Sequence, residues 1–411
     1  MNRLLILLMI SCALLGTSAK AQSFKQLGEL VPASRSTNDW FGLTSAISGN
    51  TLVVGDFDPN FQTTGTAHVF VKPASGWGNT PEAAILVPSD NGAYFGTSVA
   101  ISGDTIVVGA ANTSNFDAPA TAPGAVYVFV KPAAGWSGTL TEAAKLVASD
   151  GLSGDAFGNA VSIDHSTIAV GAFFVNNFAG RVYVFTGSGS SWTQAAELTA
   201  SDGGLLSYLG GSVAVRGNTV VAGSIGQNNF QGAAYVFVEP ASGWSTTTQT
   251  AELTSATGKS NEHFGSSVSI AGNTIVAGDP GAGNNLGAAY VYVRPASGWD
   301  NSGQYNASLR ALDSTQYGGF GGAVALAGNG KTIVVGAAGA NVGSNLEQGA
   351  AYVYVRPSIG WRSTKAANAE LLASDGTQAD LMGASVGIDG VTIIAGAPKS
   401  SSPGATYIFA P

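Results

Sequence analysis

Thr105-Ile106-Val107-Val108-Gly109-Ala110 decides the fold, because the chain keeps returning to it. Its copies open at Thr51, Thr105, Thr167, Thr219, Thr274, Thr332 and Thr392. Upstream of each stands Phe-Gly or an equivalent: Phe41-Gly42, Phe95-Gly96, Phe157-Gly158, Leu209-Gly210, Phe264-Gly265, Phe320-Gly321 and Met382-Gly383. Between the two lies a run of small and branched residues, such as Ser98-Val99-Ala100-Ile101, and a tight turn, such as Ser102-Gly103-Asp104. Downstream, a third apolar run follows Gly65, Gly124, Gly180, Gly232, Gly287, Gly349 and Gly404. Trp77, Trp136, Trp192, Trp244, Trp299 and Trp361 then introduce a fourth. A unit recurring every ~55 residues falls in the range where repeats build propellers or solenoids.

The residue types suit radial packing. The first run alternates small with branched side chains, which fits the crowded inner end of a blade. The third alternates Tyr127 and Phe129 with Val126, Val128 and Val130, so both faces are apolar, as in a sheet covered on both sides. Four-stranded sheets repeated around an axis make a propeller. The expected fold is therefore all-β: a seven-bladed β-propeller of four-stranded antiparallel blades. The last unit stops at its third strand, Tyr407-Ile408-Phe409, and lacks a fourth. Phe24-Lys25-Gln26-Leu27-Gly28-Glu29-Leu30-Val31 looks like the fourth strands Ala195-Ala196-Glu197-Leu198 and Ala251-Glu252-Leu253. It is expected to complete the last blade and close the ring, making residues 22–411 one domain.

The succession Phe-Gly, then Val-Gly-Ala or Gly396-Ala397-Pro398, then Gly-Ala-Ala-Tyr-Val resembles the FG-GAP repeat of integrin α-subunit propellers and their bacterial relatives. The resemblance implies a seven-bladed propeller with an extracellular interaction role. Calcium-binding members carry an Asp-x-Asp-x-Asp-Gly-type loop between the first two strands, an oxygen cage for a hard cation. Here that connection is only Ser48-Gly49-Asn50, Ser102-Gly103-Asp104 or Asp164-His165-Ser166, too short to supply six ligands. No metal and no cofactor is expected. Asp56-Phe57-Asp58-Pro59-Asn60, in another loop, reads as a solvated turn.

Residues 1–21 read as a secretory signal peptide: Arg3, the apolar run from Leu4 to Leu15, and Ala19-Lys20-Ala21 before the cleavage point. The competing lipoprotein reading would acylate Cys12, which sits very early in that run. Cys12 is the one cysteine, so processing leaves no thiol for disulfides, catalysis or metal. Without Arg3 and Lys20 the chain holds 15 basic against 25 acidic side chains, a poor match for nucleic acid or an anionic membrane. The expected product is a secreted monomer, extracellular or periplasmic, with no membrane insertion.

Recognition is expected in the loops, where a rigid scaffold usually carries it. The second-to-third and fourth-to-first connections share one face and include the long stretches 111–123 and 338–348. The opposite face gets tight turns and hairpins at Lys72, Lys131, Glu239, Arg294 and Arg356. The fourth-to-first loops carry Asp90, Asp150, Asp155, Asp202 and Glu262, which suggests an acidic long-loop face. The residue before each Phe-Gly is often aromatic: Trp40, Tyr94, Tyr208 and His263, with Tyr317 nearby. Strand alternation would point it toward the channel mouth. Aromatics beside carboxylates suit a sugar or peptide pocket, so Trp40, Tyr94, Tyr208, His263, Tyr317, Asp150 and Asp202 are the candidate ligand-binding residues; the structural alternative is blade-edge packing. The recurring Asn-Phe and Asn-Leu pairs of the long loops read as left-handed turns with a tucked apolar partner, and the tryptophans as blade-edge packing.

His68, His165 and His263 occupy different slots and share no centre. No nucleophile elbow, phosphate loop or zinc-protease helix is present. The expectation is a non-catalytic scaffold binding an extracellular protein or glycan. The alternatives are a lectin with a sugar site between each pair of blades and, third, a propeller hydrolase or lyase.

Overall fold

The computed structural model describes residues 23–33, 40–58, 64–90, 92, 94–111, 122–256, 258–399 and 404–411. Residues 1–21, expected to be a signal peptide, and two of the Asn-Phe pairs, at residues 60–61 and 115–116, lie outside them.

Seven antiparallel sheets form the blades. Blade 2 is typical: Phe95–Ser102, Thr105–Ala110, Ala125–Val130 and Ala144–Leu146, paired in sequence order. Second and third strands are buried almost throughout, because each blade is sandwiched between two others. The seventh blade is completed from the other end of the chain. Lys25–Leu30 lies antiparallel to Ala405–Ala410, with Glu29 opposite Tyr407, so the expected closure is present.

The conserved spacing of the motif has a steric origin at the seams. The glycine of each second strand lies against the carbonyl of the next blade's Phe-Gly glycine. A Cβ on Gly109 would stand 2.0 Å from Gly158 O, and one on Gly396 would stand 1.9 Å from Gly42 O. The glycine before the third strand does the same to the next Phe carbonyl, as Gly124 does to Phe157 O at 2.1 Å. Backbone thus meets backbone at every seam, where no side chain fits.

Beside those glycines, the first strands donate around the axis. Thr44, Ser98, Ser212, Ser267 and Ser385 give their hydroxyls to Gly96, Gly158, Gly265, Gly321 and Gly42 carbonyls at 2.8–3.0 Å. In blade 3, where Ala160 has no hydroxyl, Asn159 Nδ2 reaches Gly210 O at 3.1 Å instead. Ser385 to Gly42 joins the last blade to the first. These residues wall an axial cavity of about 260 Å³.

Most outer rims are also covered. Gly138–Leu140 of blade 2 runs parallel to Ala84–Leu86, the edge strand of blade 1, and Thr247–Thr248 does the same for blade 3. At blades 4 and 5 a single backbone bridge serves, Ser302 beside Leu253 and Thr364 beside Leu309, with Asn301 Oδ1 accepting the Glu252 N–H at 2.8 Å; at blade 7 Asn79 Oδ1 accepts the Glu29 N–H at 2.9 Å. A free edge strand invites pairing with other chains, and this arrangement removes much of that invitation.

Candidate functional face

Left-handed backbone governs what the long-loop face presents. Asn176-Asn177-Phe178 and Asn228-Asn229-Phe230 all have positive φ, as expected of the Asn pairs. Asn and Gly tolerate this region and a phenylalanine does not favour it. Their apolar partners are mostly not tucked beneath the loops, Phe230 being half-buried. Phe178, Leu286 and Leu346 are exposed.

The residue before Phe-Gly is left-handed as well, at Tyr94, Ala156, Tyr208, His263, Gly319 and Leu381, with only Trp40 in a strand. Alternation therefore does not aim these side chains at the channel, and none of them lines the axial cavity. Each lies over a seam against the preceding blade. Tyr94 stacks on Phe57 at 6.0 Å, Tyr208 meets Phe178 at 5.8 Å, and His263 meets Phe230 edge-on at 5.8 Å. Lys399 of blade 7 sits 5.5 Å above the Trp40 ring. Backbone contacts follow the same path: Tyr208 N–H donates to Phe178 O, His263 N–H to Phe230 O, and Tyr317 N–H to Asn285 O.

The result is a run of rings across blades 3 to 5: Phe173, Phe174, Phe178, Tyr208, Phe230 and His263, each within 6.4 Å of a neighbour. Leu205, Leu286, Tyr317 and Leu346 extend it as exposed apolar side chains over blades 4 to 6, Tyr317 being 72% exposed. Burial lowers the His263 pKa, so this ring is neutral at physiological pH and adds no charge to the crescent. Phe173 and Phe174 are the members that the sequence reading missed. The adjacent pair in a loop, with no strand pattern around it, was the available signal.

Asp150 and Asp202 have a different task. Tyr183 Oη donates to Asp150 Oδ1 at 2.9 Å, and Tyr235 Oη to Asp202 Oδ1 at 2.9 Å. The second oxygens take Arg181 and Gln227 Nε2, the latter at 2.7 Å. Asp90 clasps Tyr127 and Lys145 in the same way. These carboxylates fasten a loop to the third strand of the blade it enters. Burial and the accepting carboxylate both push the Tyr127, Tyr183 and Tyr235 hydroxyl pKa values far up, so all three stay protonated donors. The acidic face is in good part a set of clasps.

Blade 1 replaces that tyrosine with His68, which is buried. Its Nδ1 contacts Glu82 Oε2 at 2.6 Å, and its Nε2 lies 3.0 Å from Thr66 Oγ1 and 3.4 Å from Asp56 Oδ2. Burial opposes its charge, but the hydrogen bonds and charges of Asp56 and Glu82 hold its pKa above the ordinary value. Asp56 and Asp58, read from sequence as a solvated turn, are both buried. The three histidines fall in separate blades. Among the described residues no group of three or more His, Cys, Asp or Glu could hold a metal ion.

The tryptophans pack as expected. Trp77, Trp136, Trp299 and Trp361 are buried. Trp192 donates to Gly189 O at 3.1 Å, whereas the indole N–H groups of Trp77, Trp136, Trp244 and Trp361 meet no acceptor.

No curated protein matches the chain. A family model described as FG-GAP repeat matches it seven times, over residues 24–70, 81–129, 140–185, 192–237, 247–292, 305–354 and 366–409. Each match starts in or a few residues before the fourth strand of one blade and ends in the third strand of the next, the offset that ring closure by the first strand requires. Seven matches spread over most of the sequence, on a ring of seven blades whose seams are made by the motif's own glycines, place this chain in the FG-GAP repeat family.

Proposed function

We propose that this chain is a secreted, non-catalytic scaffold that binds an extracellular partner protein through the aromatic crescent on blades 3 to 6. An FG-GAP propeller is an architecture suited to protein interaction. The observation that carries the reading is the crescent itself: a run of mostly half-buried rings in mutual contact, with exposed leucines in neighbouring loops of the same face. Apolar patches of this kind mark interaction surfaces more often than solitary exposed residues do. Aromatic side chains also supply most binding energy per residue at protein interfaces. With five of the seven rims covered by the following blade, strand addition is the less favoured route for a partner. The crescent is uneven around the ring, which favours one asymmetric protein partner over seven equal sugar sites.

The test is an array of extracellular proteins and glycans probed with the secreted chain and with a Tyr208→Ser, Leu286→Ser, Tyr317→Ser variant. Protein hits that vanish with the variant support the reading. Hits that survive it, or that are lost instead on replacing Lys72, Lys131, Arg294 and Arg356 on the opposite face, would overturn it.

A further inference from the structure

Blades 1 and 5 depart from the others at one position. The residue after the seam glycine of the second strand is Asp56, Ala110, Ala172, Ser224, Asp279, Ala337 and Ala397 in blades 1 to 7. Five are small. Asp56 is answered by His68 at 3.4 Å, but blade 5 has Tyr290 where blade 1 has His68. Asp279 is 0% exposed, and no side chain hydrogen-bonds its carboxylate; the one nearby donor is the Ala282 N–H, too poorly aligned to count as a well-formed bond.

The charged and titratable groups around it come from three elements. Glu262, 2% exposed, stands in the segment that enters blade 5; its Oε2 accepts from Ser255 Oγ at 3.4 Å and from Lys259 N–H at 3.2 Å. Arg310, just past the fourth strand, turns its guanidinium to Gly287 O at 3.3 Å and to the Tyr290 hydroxyl at 3.5 Å, and forms no salt bridge with Asp279. Tyr290 and Tyr292 face it from the third strand, with Tyr305 packed on Tyr290 at 4.8 Å. Burial first, and the Glu262 charge second, push the Asp279 pKa up to about 8 against the pull of Arg310 and of the Ala282 N–H. At neutral pH one buried acid is protonated.

The position matters for the crescent above. Asp279 opens the loop 280–287, which carries Leu286. Two residues on, Gly281 N–H donates to Glu262 O at 2.8 Å. Glu262 in turn precedes His263, whose N–H holds Phe230 O at 3.0 Å. The two acids therefore lie beneath the junction of the His263 segment and the Leu286 loop.

We propose that Asp279 and Glu262 form a proton-gated latch beneath the docking crescent. With the proton in place, the loop 280–287 lies against residues 261–263 and the crescent is continuous. When Asp279 ionises, two buried negative charges push those segments apart, and the crescent divides between His263 and Leu286. Sealed from solvent, the pair cannot meet a substrate, so parting is the route by which the new charge reaches water. The biological meaning rests on the crescent being the docking face; the latch itself does not.

Hydrogen exchange followed by mass spectrometry, between pH 6 and 9.5 and corrected for the intrinsic rate, tests it without any partner. In the unaltered protein, protection of segments 258–263 and 280–287 should fall at least tenfold through pH ~8. In Asp279→Asn it should stay flat, and in Glu262→Gln, where the like charge that raises the Asp279 pKa is gone, the fall should move to lower pH. Asp279→Ser, the residue blade 4 uses, replaces the Asn variant if that one does not fold. Equal pH profiles in the unaltered and Asp279-substituted proteins would overturn the latch. Array binding at pH 6.5 reports on the docking face separately, so either idea can fail alone.

Discussion

Gly396→Ala puts the seam argument and ring closure to one test. Gly396 belongs to blade 7, and the methyl group would stand 1.9 Å from Gly42 O of blade 1 and 2.5 Å from Ser385 Oγ. Neither neighbour is a flexible side-chain tip that can swing away: one is backbone, and the other is the hydroxyl that bonds the same carbonyl at 2.8 Å. Ordinary contact needs the two blades to part by more than an ångström. Overpacking of this kind costs about 1–3 kcal/mol. Losing the Ser385 hydrogen bond adds about 1 kcal/mol. The expected loss is therefore roughly 2–4 kcal/mol. Gly204→Ala is the control, since it has nothing within 4 Å and no positive φ. There the substitution only stiffens the unfolded chain and should stabilise by about 0.4–1 kcal/mol. Urea unfolding followed by fluorescence and circular dichroism reads both. Similar midpoints for the two variants would mean that blades 7 and 1 do not meet backbone to backbone, and the closed ring would be wrong.

Two further outcomes follow from the buried polar groups. The His68 pKa is raised, so its stabilisation is complete below its unfolded value of 6.5 and is lost as pH rises through the folded one; the Glu82 pKa is lowered, so its share is present above 4.5 and lost as pH falls through its folded value. The stability gap between the protein and His68→Gln should thus be widest between about pH 4.5 and 6.5 and narrow on the alkaline side; a gap independent of pH across calorimetric scans would refute the charged triad. Asp202→Ala removes the acceptor of the Tyr235 hydroxyl and should cost about 1–3 kcal/mol in urea unfolding while leaving array binding intact. Unchanged stability with lost binding would return Asp202 to recognition.

Blade number, strand order and closure were legible because they rest on glycine spacing and on alternation, both local properties of the chain. The seam glycines could be seen as a motif, though not why they were needed: that reason lies in the carbonyl of the neighbouring blade. Strand alternation misdirected Tyr94, Tyr208 and His263, because a positive φ just before Phe-Gly breaks the strand there. Asp150 and Asp202 looked available because their tyrosine partners stand 33 residues away in sequence. Asp279 could have been flagged by aligning the seven second strands, where it is one of only two acids. Its lack of a salt-bridge partner, however, follows from Tyr290 and not His68 being opposite, which pairing alone reveals.

The offset between repeat and blade bears on how such a chain can change length. Every copy carries one edge strand for its predecessor and three strands of its own blade, together with a donor hydroxyl or amide and the glycines for both flanks in most copies. Duplicating or excising a whole copy therefore leaves no orphaned border anywhere on the circle. The number of sectors is then chosen by the angle each one subtends, and a lineage could move between six, seven and eight without inventing a new joint.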